Sequence, residues 1–358
     1  MMNILVSGIG GPTPKGIALS LKLANPQIKI IGIDSNIYAS GLYTKYPFDN
    51  TYLVANAQQE IDQYWKDIEK IVEKENIDFA FIVPETEVLV WCKKEATGTL
   101  PCKSFLPNSE VASFLFDKLK VSKFLEPFGL APKTLDVNGL GNSELLKLSD
   151  ELKFPYWVRL NKTAGALGAL KINSDDDLLN WLRFANLKTD IIASPFLPGR
   201  NYACKLLFKD GNLILGATAE RIEYLLANAS PTKISGMCAR GKLLNSEDLI
   251  SRARKAIELI FSKFNLAING MFTVDFKENS TGIALITEIN IRHVSFTHAF
   301  SLGGANFAYE TIKLFEEKSN YPQGVFNFKE EYNFIRGVDN DLNLISSSTL
   351  EEKRNKLH

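Results

Sequence analysis

The sequence predicts an open parallel α/β domain followed by an α+β region with antiparallel strands, and three observations support this fold class. In the first hundred residues, short apolar runs alternate with amphipathic segments, which is the pattern of repeated βαβ units. Further along, apolar runs surround one long amphipathic segment, and residues 270–290 form a hairpin pattern. The chain has 358 residues, enough for two or three domains at roughly 150 residues each.

The N-terminal domain is expected to hold three strands, each followed by a helix. Strands are predicted over residues 3–7, 28–34 and 79–83, and helices begin at Lys15, Gln58 and Glu85. The first turn is SGIGGPTPKG, and Asp34 ends the second strand, where a dinucleotide site carries an acid. The glycine spacing differs from G-x-G-x-x-G and two prolines stiffen the turn. Close packing of helix on strand is therefore favoured over an NAD-dependent oxidoreductase.

The remaining sequence is divided where its pattern changes. The segment 101–134 predicts two short helices, with the first domain boundary near Pro107. Then come a strand at 156–160, a small-residue loop, a helix capped by Ser174, strands at Ile191, Tyr202, Asn212, Gly270 and Ile283, a long helix from Ser246 to about Asn265, and a last helix near Gly304. The predicted domains are 1–107, 108–192, 193–325 and an extension over 326–358, whose polar end is expected to fray.

Composition and charge exclude several classes of protein. Lys and Arg together number 41, as do Asp and Glu, so no net charge attracts nucleic acid or an anionic membrane. No apolar stretch approaches the roughly 18 residues of a membrane span, and no basic segment precedes the first apolar run. The four cysteines lack metal-binding spacing. A cytoplasmic protein with reduced, mostly buried thiols is predicted.

The hairpin GMFTVDFKENSTGIALITEIN carries three oxygen-bearing side chains. Asp275 lies on its first strand, and Glu288 and Asn290 share one face of the second strand because side chains alternate with a period of two. Such hard oxygen ligands suit Mg²⁺ held together with the phosphates of a nucleotide. The alternative, a solvated hairpin face, has the same spacing.

Two further segments carry cations. Arg292 follows the hairpin directly, where a guanidinium beside metal ligands would neutralise a transferring phosphoryl group. Arg159 ends a strand and precedes the small-residue loop NKTAGALG, whose backbone amides could approach phosphate oxygens. An ordinary surface loop between strands has a similar composition.

Candidate substrate residues lie in two places. His293, Ser295 and His298 follow Arg292, although a histidine is more often a core or surface residue than a catalyst. Glu85 and Glu87 lie at the end of a strand, where open α/β sheets bind ligands, and could hold an ammonium group. Acids in the first turn of a helix also need no ligand, because they interact favourably with the helix dipole.

The order of these pieces resembles the ATP-grasp superfamily, and within it the carbamoyl-phosphate-synthase-like branch. The resemblance covers nearly all of residues 3–318. It is carried by the proline-rich first turn, Asp117-Lys118 opening a helix, GLAP at 129–132, FPYWVR at 154–159, the small-residue loop, FLPGR at 196–200 and TEINIR at 287–292. The implied fold is a pre-ATP-grasp α/β domain followed by a two-lobed ATP-grasp region that holds a nucleotide between its lobes.

The resemblance also implies a role for individual residues. Lys118 and Arg159 match the two basic residues that contact phosphates, Asp275, Glu288 and Asn290 match the magnesium ligands, and Arg292 matches the arginine that steadies an acyl phosphate. The segment from Asn161 through Lys162, Thr163 and Gly165 to Gly168 matches a mobile phosphate lid, and Ser194, Pro195, Phe196 and Leu197 match the linker whose backbone pairs with adenine.

The implied activity is an ATP-dependent, magnesium-requiring ligase that joins a small carboxylate to an amine through an acyl phosphate and releases ADP and phosphate. Neither nucleic acid nor membrane is expected as a partner, and a homodimer is compatible with the resemblance. Three positions depart from the family: Pro195 and Asn201 replace glutamates of the nucleotide site, and Lys205 lies where an acid is common. These departures leave open a second hypothesis, a non-catalytic nucleotide-binding or regulatory protein.

Overall fold

The computed structural model describes residues 2–163, 168–184, 190–229, 234, 236–315, 324–337 and 352, and these residues form three β-sheets. The first sheet is parallel and the other two are antiparallel. The predicted combination of α/β and α+β architecture is confirmed.

The N-terminal sheet has five parallel strands in the order β3-β2-β1-β4-β5. Its elements are β1 (Asn3–Ser7), α1 (Pro12–Ala24), β2 (Lys29–Asp34), β3 (Asn50–Leu53), α2 (Ile61–Glu75), β4 (Phe79–Phe81), α3 (Glu85–Ala96) and β5 (Lys103–Ser104). The sequence pattern missed β3 and β5, which are short. It also placed the start of α1 at Lys15, whereas the turn prolines belong to the first turn of that helix, where their fixed φ fits.

The glycine-rich turn after β1 is held by packing, as the sequence favoured. Gly8 has a φ of 70°, and a Cβ there would lie 2.6 Å from Pro84 Cγ, so the turn at the end of β4 excludes a side chain. The Asp34 carboxylate accepts hydrogen bonds from the backbone N–H groups of Gly10 and Asn36, each at 2.8 Å. The acid at the end of β2 therefore stabilises the turn itself.

Two helices and a small antiparallel sheet follow. The elements are α4 (Ser109–Phe116), α5 (Lys118–Leu125), β6 (Leu135–Asp136), α6 (Asn142–Leu145), α7 (Leu148–Leu152), β7 (Tyr156–Leu160), β8 (Leu170–Ile172), α8 (Asp175–Phe184) and β9 (Ile191–Pro195). The strands lie in the order β6-β9-β7-β8. Asp117 caps α5 by accepting from the N–H of Lys120 at 3.1 Å, so the side chain of Lys118 starts from a fixed helix end.

The largest sheet has six antiparallel strands in the order β14-β13-β10-β11-β12-β15. Its elements are β10 (Asn201–Lys209), β11 (Asn212–Tyr224), β12 (Cys238–Leu244), α9 (Glu247–Lys263), β13 (Gly270–Glu278), β14 (Ala284–Asn290), α10 (Thr297–Leu302), α11 (Phe307–Lys313) and β15 (Tyr332–Ile335). Helix α10 was not predicted, and α11 begins at Phe307 instead of near Gly304. Apart from Glu352, the polar end at 346–358 lies outside the described residues.

Different elements pack on the two faces of this sheet. One face packs on α9, with Leu206 and Phe272 among the fully buried residues of that core. The other face carries Ala203 and Leu207 and packs on aromatic residues from 296 to 307, including Phe300. Because side chains alternate along each strand, polar residues at positions 205 and 275 lie on this second face.

The described helices and cysteines add two further observations. None of the described helices is long and apolar enough to cross a membrane. All four cysteines are unpaired, and Cys92, Cys204 and Cys238 are buried.

Candidate functional site

A cavity of about 690 Å³ lies between the small sheet, the largest sheet and the start of α1. Its walls include Trp157 and Arg159 of β7, Asp275 of β13, Glu288 of β14 and Thr13 of α1. This volume is typical of a site for a small-molecule ligand. Residues from the N-terminal domain and from both antiparallel sheets therefore meet in one place.

The three predicted metal ligands lie on one face of the β13–β14 hairpin. Asp275 is directly opposite Glu288, and Asn290 is opposite Thr273. The Asn290 amide nitrogen lies 3.3 Å from Asp275 Oδ2 and 3.5 Å from Glu288 Oε1. Asp275 and Asn290 are each 6% exposed. The three side chains therefore converge, with Asp275 and Asn290 buried and Glu288 partly exposed, and they do not form a solvated hairpin face.

The pair of carboxylates is electrostatically unequal. Burial raises the pKa of Asp275, an effect that Arg221 opposes and Glu288 reinforces. Burial alone would also raise the pKa of Glu288, but the cations of Lys118 and Arg159 outweigh it and the pKa is lowered. A divalent cation placed between these oxygens would relieve the repulsion between the two carboxylates. The donor set fits Mg²⁺ for this reason.

Lys118 of α5 and Arg159 of β7 are two of the cations that act on Glu288. Lys118 Nζ lies 3.5 Å from Glu288 Oε2 and donates to the carbonyls of Asn161 at 2.9 Å and Thr163 at 2.6 Å. Arg159 is part-buried and donates to the carbonyl of Thr287 at 2.6 Å. Thr287 is an extra residue in the pairing of β14 with β13, so the bulge provides a carbonyl that ties the two sheets together.

Arg292 connects the site to the N-terminal domain. Its Nη2 lies 3.9 Å from Glu85 Oε2, and its Nη1 donates to the carbonyl of His293 at 3.1 Å. The Arg292 and Glu85 side chains are 17% and 11% exposed, respectively. Burial raises the pKa of Glu85, and the cation of Arg292 opposes this rise. Glu85 therefore lies beside Arg292 of the cavity wall at the carboxyl end of the parallel sheet, although Glu85 is not itself among the residues that line the cavity.

The start of the predicted phosphate lid is anchored instead of facing the cavity. The Asn161 side chain is buried and donates to Asp117 at 3.0 Å and to Asp190 at 3.2 Å. Lys162 Nζ lies 3.5 Å from Asp117 Oδ2, while Thr163 lines the cavity. Residues 164–167, which include the predicted Gly165, lie outside the described residues, and Gly168 resumes the chain with a φ of 64°.

The residues of the predicted adenine linker also line the cavity. Ser194, Pro195, Phe196, Leu197 and Asn201 all line it. The Phe196 N–H is occupied, because it donates to the carbonyl of Pro155 at 3.3 Å. The ammonium of Lys171 lies 4.5 Å from the Phe196 ring centroid. The linker therefore contributes an aromatic ring, with a cation over it, to the cavity wall.

The remaining candidate substrate residues lie in different surroundings. Ser295 lines the cavity. Glu87 accepts a hydrogen bond from Tyr64, and burial raises the pKa of Glu87 to about 7. His293 Nδ1 lies 2.7 Å from Lys205 Nζ, and His298 Nδ1 lies 3.2 Å from Ser20 Oγ. The structure therefore does not bring Glu87, His293 and His298 into the cavity wall.

Several residues of the cavity were missed from the sequence, and Arg221 is the most prominent of them. Arg221 Nη2 lies 2.6 Å from Asp275 Oδ1, and the guanidinium lies 5.2 Å from the Phe296 ring centroid. Its place depends on how β11 pairs with β10, which no local pattern reveals. Trp157 also lines the cavity, and it could have been found because it lies two residues before Arg159 on the same face of a strand.

The site carries too few acidic residues to hold a metal alone. Among the residues that the structure describes, no group of three or more His, Cys, Asp or Glu side chains could bind a metal ion. Two carboxylates and one amide are present, so water and the phosphate oxygens of a nucleotide would complete the coordination of a bound Mg²⁺.

Comparisons with known proteins bear on the fold. No family model matches the sequence, and no curated protein matches it. Among solved structures, N5-carboxyaminoimidazole synthetase of Staphylococcus aureus complexed with ADP superimposes with a TM-score of 0.69 at 16% identity, over 98% of this chain and 86% of that one. The chain has an ATP-grasp fold.

Two other structures support the same ATP-grasp assignment. The biotin carboxylase domain of 2-oxoglutarate carboxylase from Hydrogenobacter thermophilus gives a TM-score of 0.68 at 14% identity, over 92% of this chain and 73% of that one. An L-amino acid ligase of Bacillus licheniformis gives 0.61 at 13% identity, over 87% and 73%. In this fold, the cavity lies between the two antiparallel sheets.

Proposed function

We propose that the protein is an ATP-dependent, magnesium-requiring ligase that joins a small carboxylate to an amine through an acyl phosphate, with release of ADP and phosphate. The observation that carries the proposal is the convergence of Lys118, Arg159 and Arg292 around Asp275 and Glu288 in one cavity. Fixed cations around oxygen ligands are the arrangement that phosphoryl transfer needs, because charge must be stabilised on the transferring group.

The structural neighbours support this chemistry by what they bind. The Staphylococcus aureus synthetase holds ADP, and the Hydrogenobacter thermophilus domain holds MgADP and bicarbonate. The Bacillus licheniformis protein is an L-amino acid ligase. The cavity of about 690 Å³ fits small substrates of this kind together with a nucleotide.

Each group of residues receives a role in this proposal. Lys118 and Arg159 bind the phosphates of ATP, and the linker at 194–197 holds the adenine. Asp275, Glu288 and Asn290 hold magnesium, which when bound screens the phosphate charge. Arg292, which Glu85 orients from the N-terminal domain, stabilises the group being transferred. We assign the nucleotide site to domains at 108–192 and 193–325, with 1–107 contributing Glu85.

The reaction is tested by identifying its products with a panel of carboxylates that includes bicarbonate and amino acids. We expect ADP and inorganic phosphate by nucleotide chromatography. With the amine left out, hydroxylamine should capture the activated acyl group as a hydroxamate. AMP and pyrophosphate would contradict the proposal.

A variant of Arg292 tests its assigned role. Arg292→Ala should reduce hydroxamate formation by about a hundredfold while changing ATP affinity little, because the cation acts on charge that develops during transfer. Arg254→Ala is the matched control, since Arg254 is an exposed residue of α9 that pairs with Glu258. Equal hydroxamate yields from both variants would remove Arg292 from the mechanism.

A further inference from the structure

Arg221 is a buried cation in the cavity wall that the proposed function leaves without a role. It lies opposite Asn201 in the pairing of β11 with β10, and Asp275 lies opposite Ala203 in the pairing of β13 with β10. Both side chains therefore project from the same face of the sheet, across β10 from each other. The side chains of Arg221 and Asp275 are 12% and 9% exposed, and their charged atoms are 2.6 Å apart.

The surroundings of Arg221 hold the guanidinium in a fixed place. Its centre lies 5.2 Å from the ring centroid of Phe296, within the range of a cation–π contact. Phe296, Ser295 and Tyr224 line the cavity beside it. A planar group that entered here would meet a preorganised guanidinium backed by an aromatic ring.

Two cations would compete for the negative charge of Asp275. In the structure its Oδ1 pairs with Arg221, yet the proposed function makes the same carboxylate a ligand of magnesium. A divalent cation on Asp275 would take most of the charge that now neutralises Arg221. A buried arginine without a counter-ion is strongly unfavourable, so another anion would then be needed beside it.

We infer that Arg221 binds the carboxylate group of the substrate, and that Asp275 keeps Arg221 paired until a divalent metal binds. This inference rests on the proposed function, because it uses the metal site at Asp275. The planar fork of the guanidinium matches a carboxylate with two parallel hydrogen bonds. A carboxylate bound there lies next to Asp275, hence next to the metal. Metal and carboxylate should therefore each strengthen the binding of the other.

The competing explanation makes Arg221 a static counter-ion that positions Asp275. The two explanations differ in what happens when the cation is removed. If Arg221 competes with the metal for Asp275, Arg221→Met should bind Mn²⁺ more tightly than the wild type. If Arg221 positions Asp275, the same variant should bind Mn²⁺ less tightly.

The experiment uses Mn²⁺ with ADP as the metal probe and formate as the carboxylate probe. Electron paramagnetic resonance measures Mn²⁺ affinity, and relaxation of the formate proton by bound Mn²⁺ reports a carboxylate near the metal. We expect strong relaxation in the wild type and a reduction of about tenfold or more in Arg221→Met, as for loss of a charge-assisted hydrogen bond. Arg221→Lys should be intermediate, because one charge remains without the fork.

The matched control is Arg240→Met, since Arg240 is half exposed on β12 and pairs with Glu223 at 3.5 Å. It should leave both signals unchanged, and circular dichroism checks that each variant folds. Three outcomes would each overturn the inference without affecting the proposed function. They are weaker Mn²⁺ binding in Arg221→Met, unchanged formate relaxation in that variant, and no formate relaxation in a wild type that binds Mn²⁺ and ADP. Failure of the wild type to bind Mn²⁺ and ADP would remove the proposed function, and this inference with it.

Discussion

Two groups of polar side chains lie on the same face of the largest sheet, and they differ in what covers them. The open cluster consists of Asp275, Glu288, Asn290 and Arg221, and it faces the cavity. The sealed cluster consists of Lys205, His293 and Thr297, which are 0%, 5% and 0% exposed. Lys205 Nζ lies 2.7 Å from both His293 Nδ1 and Thr297 Oγ1.

The polar side chains of the two clusters are stabilised in different ways, by charge pairing in the open cluster and by hydrogen bonds between neutral groups in the sealed cluster. The open cluster combines positively and negatively charged side chains. These side chains pair with one another and can pair with the charges of a ligand instead. In the sealed cluster, burial moves the pKa of Lys205 well below its usual range, and burial followed by the nearby Lys205 does the same for His293. Neutral groups joined by hydrogen bonds are favoured there over ions. A buried titratable residue near a cavity therefore need not line it, as His293 shows.

The largest expected effect comes from removing a charge of the open cluster. Glu288→Gln should lower magnesium-dependent ADP formation by about a hundredfold or more, because a metal ligand is lost where charge develops. The free energy of unfolding should change by less than about 1 kcal/mol, because the Glu288 side chain is 30% exposed. Steady-state kinetics and urea unfolding measure the two quantities. Glu258→Gln on α9 is the control. If Glu288→Gln turned over as fast as Glu258→Gln, the metal assignment would be contradicted.

The sealed cluster should respond in the opposite way. Lys205→Met should reduce the free energy of unfolding by about 2 kcal/mol, because two buried polar groups lose their partner. The loss is limited because Thr297 Oγ1 and His293 Nδ1 lie 3.4 Å apart and can pair with each other. ADP affinity should not change. Lys209→Met, on the exposed end of the same strand, is the control for urea unfolding. If Lys205→Met lost ADP affinity and Lys209→Met did not, Lys205 would belong to the nucleotide site.

The smallest expected effect is a pH dependence of stability that comes from His293. Its folded pKa is lowered by burial, so the unfolded chain binds more protons than the folded one once the pH falls below the usual value of 6.5. Stability is therefore lost as the pH falls, by at most about 1.4 kcal/mol per pH unit for this group. His293→Gln should show a shallower loss than the wild type between about pH 6.5 and 5. Parallel curves in urea unfolding would show that His293 is not buried in its neutral form.

The open cluster could be predicted in part because its carboxylates lie on one hairpin. Asp275, Glu288 and Asn290 are close in sequence, and the period of two along a strand fixes the common face of Glu288 and Asn290. The position of Arg159 at a strand end was visible for the same local reason. Arg221 could not be found, because it meets Asp275 only through two strand pairings that connect distant segments.

The sealed cluster shows a second limit of the sequence pattern. Lys205 stood out as a departure from the family, yet its partner His293 lies 88 positions away, so nothing local showed that the two would meet. Helix α10, which supplies Thr297 and covers the cluster, is a short element of 6 residues that hydrophobic periodicity did not reveal. The prediction of His293 as a substrate residue depended on its neighbour Arg292, but adjacent residues need not share a face or a cavity.

The most direct test of the account is a calorimetric titration of Mg·ADP into the wild type, Glu288→Gln and Lys205→Met. It tests the claim that the open cluster, and not the sealed cluster, belongs to the nucleotide–metal site. The account predicts equal dissociation constants for the wild type and Lys205→Met, and a weakening of about tenfold or more for Glu288→Gln that disappears when magnesium is omitted. The account would be contradicted if Glu288→Gln bound Mg·ADP as tightly as the wild type. It would also be contradicted if Lys205→Met bound Mg·ADP more weakly than Glu288→Gln.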